Sequence, residues 1–148
     1  MKKIFSKISR ANLTEVTLAI APRIGPGVII FFDGHPGAGK TFLITELLKQ
    51  HQIAQVSSPT FALHHQYISG TQKLIFHHFD LYRIESVDDL ETVGLWERFS
   101  ENQMEMNACY LIEWGAKFPD EIWPINLEKI WIKISWDGDG DTREYSVS

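Results

Sequence analysis

Lys40 and Thr41 close the octet Gly34-His35-Pro36-Gly37-Ala38-Gly39-Lys40-Thr41, which fits the pattern G-x-x-x-x-G-K-[ST]. The chemistry of that pattern is the binding of a polyphosphate. Glycines let the backbone curl so that successive N–H groups face phosphate oxygens, and a helix starting at the end of the loop adds the positive end of its dipole. A lysine at the position of Lys40 reaches the β- and γ-phosphates, while a hydroxyl at the position of Thr41 ligates Mg²⁺. The octet therefore predicts a site for a nucleoside triphosphate, with ATP and Mg²⁺ as the expected cofactors. A glycine-rich turn that happens to carry Lys-Thr is the competing explanation, and the elements on either side of the octet weigh against it.

Such a site also needs a carboxylate to hold or orient the metal, usually at the C-terminal end of a hydrophobic strand beside the loop. Two positions compete: Glu113, which ends Ala108-Cys109-Tyr110-Leu111-Ile112, and Asp80, which ends Ile75-Phe76-His77-His78-Phe79. Glu113 is the choice for the metal, although either acid could instead cap a helix or pair with Arg83 or Lys117. Ser57-Ser58-Pro59-Thr60 follows the loop helix, where many P-loop proteins carry a polar segment that senses the γ-phosphate. An ordinary Ser-Pro turn is the equal alternative. His64-His65 and His77-His78 lie on two extended runs, but neighbours on a strand face opposite ways and a metal site needs more ligands. Asp137-Gly138-Asp139-Gly140-Asp141 is similar to the start of a Ca²⁺ loop, yet Thr142 stands where that loop needs glycine and Ser148 where it needs its final Glu. Trp114, Trp123, Trp131 and Trp136 are read as packing residues rather than base-stacking platforms, given the acidic chain.

The elements that must position these groups follow from local spacing. Val28-Ile29-Ile30-Phe31-Phe32 has no polar alternation, so it reads as a strand buried on both faces and running straight into the octet. Lys40 to His51 then changes to helical spacing, with Phe42, Leu43, Leu47 and Leu48 towards a core. Upstream, Asn12 to Ile20 is a short helix with Asn12 as N-cap and Pro22 as a stop. Gln55 to Tyr67 and Lys73 to Tyr82 read as two extended arms of a hairpin turning at Ser69-Gly70-Thr71-Gln72. Ser86 to Phe99 is helical in spacing but weakened or interrupted by Gly94. Lys129 to Trp136 and Arg143 to Val147 alternate around the glycine-aspartate loop and form a C-terminal β-hairpin. The fold class expected is α/β, a P-loop NTPase-like mixed sheet flanked by helices.

At 148 residues the chain has the size of one domain, expected over 1–148, and its 44% hydrophobic and 22% charged residues are those of a soluble globular protein. The net charge of -5 argues against a free-standing nucleic-acid binder. Cys109 is the single cysteine, which excludes an intrachain disulfide and fits a reducing compartment. The basic start Met1 to Arg10 is followed by no apolar run of signal-peptide length, and no run approaches a membrane span. A cytoplasmic protein with no membrane association is the expectation.

Several separated segments agree with one family. Gly37-Ala38-Gly39-Lys40-Thr41, Ser58-Pro59-Thr60-Phe61, His78-Phe79-Asp80-Leu81-Tyr82-Arg83, Leu90-Glu91-Thr92-Val93-Gly94-Leu95-Trp96-Glu97 and Ile112-Glu113-Trp114, in this order and approximate spacing, resemble the TsaE (YjeE) family of small bacterial ATPases. The resemblance covers nearly the whole chain. It implies a weak, partner-stimulated ATPase required for threonylcarbamoyladenosine modification of tRNA next to the anticodon, acting with TsaB and TsaD and meeting tRNA only through that complex. It implies that Thr41 and Glu113 hold Mg²⁺, that Thr60 is a switch-like hydroxyl, that Asp80 orients water or metal, and that Trp114 lies beside the site. Nucleotide contacts are then expected from His35, Pro36, Gly37, Ala38, Gly39, Lys40, Thr41 and Phe42, and from Arg143 after the last hairpin turn.

Two departures stand out: His35-Pro36 replaces the family's more usual acidic-Leu pair, and the N-terminal helix is about one turn shorter. Two other functions compete with the family reading. A small-molecule P-loop kinase would need an Arg-rich lid, and Arg83 and Arg98 supply one poorly. A nucleotide-dependent binding module with negligible hydrolysis would keep the same phosphate-binding residues. A GTPase is disfavoured, since no Asn-Lys-x-Asp element is present.

Overall fold

The computed structural model describes residues 1–70, 73–100, 106–136, 138 and 140–148. Strands β1 (Lys3–Ile8), β2 (Val28–Asp33), β3 (His64–Ile68), β4 (Ile75–Asp80), β5 (Ala108–Glu113), β6 (Glu128–Ser135) and β7 (Arg143–Val147) form a seven-stranded sheet in the order β1-β7-β6-β2-β5-β4-β3. Its centre, β6-β2-β5-β4, is parallel. The flanking pairs β6–β7, β1–β7 and β3–β4 are antiparallel. Helices α1 (Thr14–Ile20), α2 (Lys40–Lys49) and α3 (Leu95–Phe99) complete the regular elements, together with short 3-10 turns. This is a P-loop NTPase-like mixed sheet flanked by helices, with the expected C-terminal hairpin.

Burial explains why the central strands are apolar throughout. Successive residues of a strand point to opposite faces, and here both faces are covered. Ile30, Phe32, Cys109 and Leu111 pack with Val16 and Ile20 of α1 and Leu43, Leu47 and Leu48 of α2. Ile29, Phe31, Tyr110 and Ile112 pack on the other side with Leu90, Leu95, Phe118 and Trp123. Phe31 is stacked on Trp131 at 3.9 Å between centroids and tilted against Trp123 at 4.9 Å. Three of the four tryptophans read as packing, Trp114, Trp123 and Trp131, do pack against this second face.

Several boundaries differ from expectation for identifiable reasons. Asn12 does not cap a helix: it ends a 3-10 turn (Arg10–Asn12), and α1 begins at Thr14 after Leu13, with no side-chain cap bond. Pro22 lies in a second 3-10 turn directly after α1, where its missing N–H costs nothing. The run from Gln55 is not a strand arm until His64. Pro59 has no N–H to give a ladder, and the chain turns over Pro59 to Leu63, where Leu63 has φ 67° and its N–H returns to the Pro59 carbonyl. Part of the expected turn, residues 71 and 72, falls outside the described residues, as do residues 137 and 139 of the glycine-aspartate loop. Gly94, at φ 70°, splits the expected helix into a 3-10 turn (Asp88–Val93) and α3. Strand β1 has no counterpart in the expectations. Only Ile8 of its residues is buried, and Lys7 sits in the left-handed region at a register shift against β7, so its sequence carries no clean alternation. Among the described residues no helix is long and apolar enough to cross a membrane.

Two consequences for stability follow. Gly115 stands where a Cβ would come within 2.5 Å of Phe31 Cδ1 and 2.9 Å of Cε1, in the stacked aromatic layer. Gly115→Ala is expected to cost about 1–3 kcal/mol through overpacking, read as a lower urea midpoint at unchanged slope. His64 is half-buried, stacked on Phe79 and hydrogen-bonded through Nε2 to His77 Nδ1 at 2.9 Å. Burial first, then the neighbouring His77 and Arg98, push its pKa down from 6.5 to about 4. The unfolded chain therefore takes up the proton at a higher pH than the folded one. This part of the stability is complete above pH 6.5 and falls as the pH is lowered towards 4. Urea midpoints of the wild type and His64→Phe at pH 7.5 and 4.5 check this, the variant being expected to lose less on acidification; equal losses would count against it.

Candidate functional site

The sheet delivers the octet to the C-terminal end of its central strand. β2 ends at Asp33, and Gly34 passes so close to β6 that a Cβ would lie 2.8 Å from the Ile134 carbonyl oxygen. Gly37 and Gly39 take φ of 81° and 106°, left-handed conformations that bend the loop into the N-terminus of α2. Inside the curve, Lys40 Nζ donates to the carbonyls of Gly34 at 2.6 Å and His35 at 3.1 Å and lies 4.2 Å over the Trp114 ring. Burial lowers its pKa, opposed by the negative charges of Glu113, Asp80 and Asp33. The ammonium is thus held by neutral loop carbonyls in an acidic surround, an arrangement that an anion in the loop can take over.

Both competing acids are at the site. The parallel register sets Asp80 of β4 opposite Glu113 of β5, and Glu113 opposite Phe32 of β2. Glu113, 3% exposed, accepts on Oε1 from Thr41 Oγ1 at 3.0 Å and from His78 Nε2 at 2.8 Å. Asp80, 4% exposed, accepts on Oδ2 from Thr60 Oγ1 at 2.8 Å and on Oδ1 from the Tyr82 N–H at 3.0 Å. The Ser58 and Thr60 hydroxyls are 2.7 Å apart. Thr41, Ser58, Thr60, Asp80 and Glu113 line one cleft of about 450 Å³ with Pro36, Gly37, Gly39, Lys40, Tyr82 and Trp114, and His78 lies buried behind it. Trp114 takes φ 65°, unusual for a bulky residue, and its ring stands 5.0 Å from that of Tyr82.

The oxygen donors suit Mg²⁺. That ion prefers hard oxygen ligands and is usually held by one or two protein groups, with waters and phosphates completing the shell. Thr41 Oγ1 and Glu113 Oε1, already 3.0 Å apart at the mouth of the loop, are such a pair. Among the described residues no group of three or more His, Cys, Asp or Glu gathers into a protein-only cage.

Other expected contacts sit around this cleft rather than in it. His35 lines a neighbouring cleft of about 830 Å³ with Asp33, Lys133, Trp136 and Glu144, which Trp114 separates from the first. Ala38 is buried in the core, and Phe42 is half-buried against it. Arg143 meets the loop through its backbone: Nε donates to the Ala38 carbonyl at 3.1 Å, and the guanidinium stacks 4.3 Å over Trp136.

Two residues at the site escape sequence reasoning. His78 enters the sequence reading as one of a histidine pair and as the first residue of a family segment, with no role of its own. Its place two residues before Asp80 puts it on the same strand face, and that period is the signal that could have found it. With the proton on Nε2 it donates to Glu113 and leaves a lone pair, not an N–H, at the unpartnered Nδ1. Arg10 lines the cleft from the N-terminal segment, and no local pattern marks it.

Residues 8–145 match the family model for "Threonylcarbamoyl adenosine biosynthesis protein TsaE". A relative from Rickettsia prowazekii, named tRNA threonylcarbamoyladenosine biosynthesis protein TsaE, is 34% identical over 117 residues, 78% of this chain and 74% of the relative. One of the same name from Rickettsia felis is 31% identical over 115 residues, 74% of this chain and 63% of the relative, so the chain spans less than two thirds of that protein. The crystal structure of Bacillus subtilis YdiB superposes with a TM-score of 0.68 over 99% of this chain and 84% of that one, at 23% identity, a likeness of fold. The family match begins at the buried end of β1 and ends inside β7, taking in the loop, both acids and the hairpin behind them, and the chain therefore belongs to the TsaE family.

Proposed function

We propose that residues 1–148 work as one P-loop ATPase domain in the cytoplasm, binding ATP with Mg²⁺ in the service of threonylcarbamoyladenosine formation on tRNA beside the anticodon. The observation that carries this reading is the 3.0 Å contact between Thr41 and Glu113 at the open end of a loop that already holds its lysine. In this reading the loop N–H groups and Lys40 bind the phosphates, and Thr41 with Glu113 holds Mg²⁺. The ion, when bound, offsets phosphate charge that the protein alone leaves uncompensated. His78 keeps the Glu113 carboxylate turned towards Thr41. Asp80, fixed by Thr60 and the Tyr82 N–H, orients the attacking water, and Thr60 reads the presence of the terminal phosphate. Arg143 and Trp136 brace the loop from behind.

Hydrolysis is slow in the isolated chain and rises with TsaB and TsaD, whose complex is the partner in this reading; tRNA is met through them. The family membership and the names of the curated relatives support the pathway, and the cleft supports the nucleotide.

The division of labour in the cleft gives a direct test. Lys40→Ala is expected to abolish ATP binding measured by calorimetry. Glu113→Ala should keep binding within about tenfold while Mg²⁺-dependent hydrolysis falls about 100-fold or more. Steady-state hydrolysis with and without TsaB–TsaD completes the test. Equal loss of binding in both variants would sink the assignment of Glu113 to the metal. Nucleotide binding without turnover under any condition would favour a binding module over an ATPase.

A further inference from the structure

Arg10 belongs to none of the segments that carry the family resemblance, yet it lines the cleft with Lys40, Thr41, Thr60, Asp80 and Glu113. Its backbone is well anchored. Ile8 and Leu13 on either side are buried in the core, and the Leu13 N–H donates to the Arg10 carbonyl. The side chain reaches the first turn of α2, where the guanidinium carbon stands 4.9 Å from the centroid of the Phe42 ring. Among the described residues no carboxylate pairs with it, in contrast to Arg23 with Glu128 and Lys129 with Asp120.

That placement is electrostatically incomplete. The N-terminus of a helix carries partial positive charge, and a cation parked over the first turn of α2 is repelled by it unless an anion lies between. The charged side chains lining the cleft are Arg10 and Lys40 against Asp80 and Glu113, so they sum to zero with Arg10 and to -1 without it. Of the two cations there, Lys40 already donates to loop carbonyls, whereas the Arg10 guanidinium makes no hydrogen bond among the described residues, so a polyphosphate entering a cleft that holds two acids gains from it directly.

We propose that Arg10 is a phosphate-binding residue. Its guanidinium covers the outer side of the loop and donates to the two phosphates that ADP and ATP share. This rests on the nucleotide-binding reading of the cleft. Arginine suits the role because its planar fork donates two hydrogen bonds to one phosphate, while its flat face keeps the Phe42 contact.

The test is calorimetric titration of ADP and of ATP with Mg²⁺ into the full chain, as wild type, Arg10→Met, Arg10→Lys and Lys40→Ala, each also melted without nucleotide. Arg10→Met is expected to raise Kd about tenfold for both nucleotides, with a shallower dependence on salt and an unchanged melting temperature. Arg10→Lys should recover part of the affinity. Wild-type affinity in Arg10→Met, beside lost binding in Lys40→Ala, would overturn the role of Arg10 and leave the nucleotide site standing. Weakening confined to ATP would overturn its placement on the shared phosphates. A wild-type chain that bound neither nucleotide would overturn the proposal and the reading beneath it together.

Discussion

Glu113 ends β5 with a side chain 4% exposed, and a carboxylate so far from water is tolerable only with hydrogen bonds to its oxygens. Thr41 and His78 supply them, one from the first turn of α2 and the other from β4. Three elements distant in sequence must therefore meet at one oxygen atom. The parallel register of β2, β5 and β4 brings them there, setting Glu113 level with Phe32 and Asp80. A slip of one residue in β5 would turn the acid to the opposite face, among Phe79, Leu90 and Trp123, away from Thr41 and His78. The same register that buries the apolar core thus places the cleft at this end of the sheet, and neither can shift without the other.

How much of this was legible depended on whether the signal was local. The octet, the all-apolar β2, the helix after it and the alternating C-terminal hairpin are each complete within a dozen or so residues, and their boundaries fell within two residues of the observed ones. Lys40, Thr41, Thr60, Asp80 and Glu113 were all named, and all line the one cleft. What local spacing cannot express is partnership. His78 gains its meaning only once Asp80 and Glu113 are known to lie side by side. β1 is a strand because β7 pairs with it, and Arg10 reaches the loop only because that pairing carries the N-terminus across the sheet edge. The stretch from Gln55 to Leu63 misled for the opposite reason: its residues favour extension, but Pro59 and the turn after it deny it a ladder.

The loop itself is less independent than its glycines imply. Gly34 is pressed against the Ile134 carbonyl, Arg143 holds the Ala38 carbonyl, and Trp136 lies 4.0 Å from where a Cβ on Gly37 would be. The β6–β7 hairpin is therefore the outer wall of the phosphate loop. It fixes the curve that the loop's own left-handed glycines only permit, and Arg143 acts through backbone geometry whatever else it touches.

The two acids, adjacent in the sheet, are held on unequal terms. Glu113 is gripped by groups on α2 and β4, elements that the core itself immobilises, since Leu43 and Leu47 of that helix and Phe76 and Phe79 of that strand are almost wholly buried. Asp80 depends on Thr60, in a segment without ladder pairing, where the hydroxyls of Ser58 and Thr60 bond each other and the neighbouring Phe61 is 85% exposed against Arg83. Displacing Glu113 would disturb a packed sheet, whereas displacing Thr60 removes one hydrogen bond to a buried carboxylate, about 1.5–3 kcal/mol, and breaks no ladder. The geometry of the cleft is accordingly rigid on the side of Thr41 and Glu113 and less costly to alter on the side of Thr60, so any response of the site to what occupies it falls first on the Ser58 to Phe61 segment, the one that carries an exposed aromatic ring.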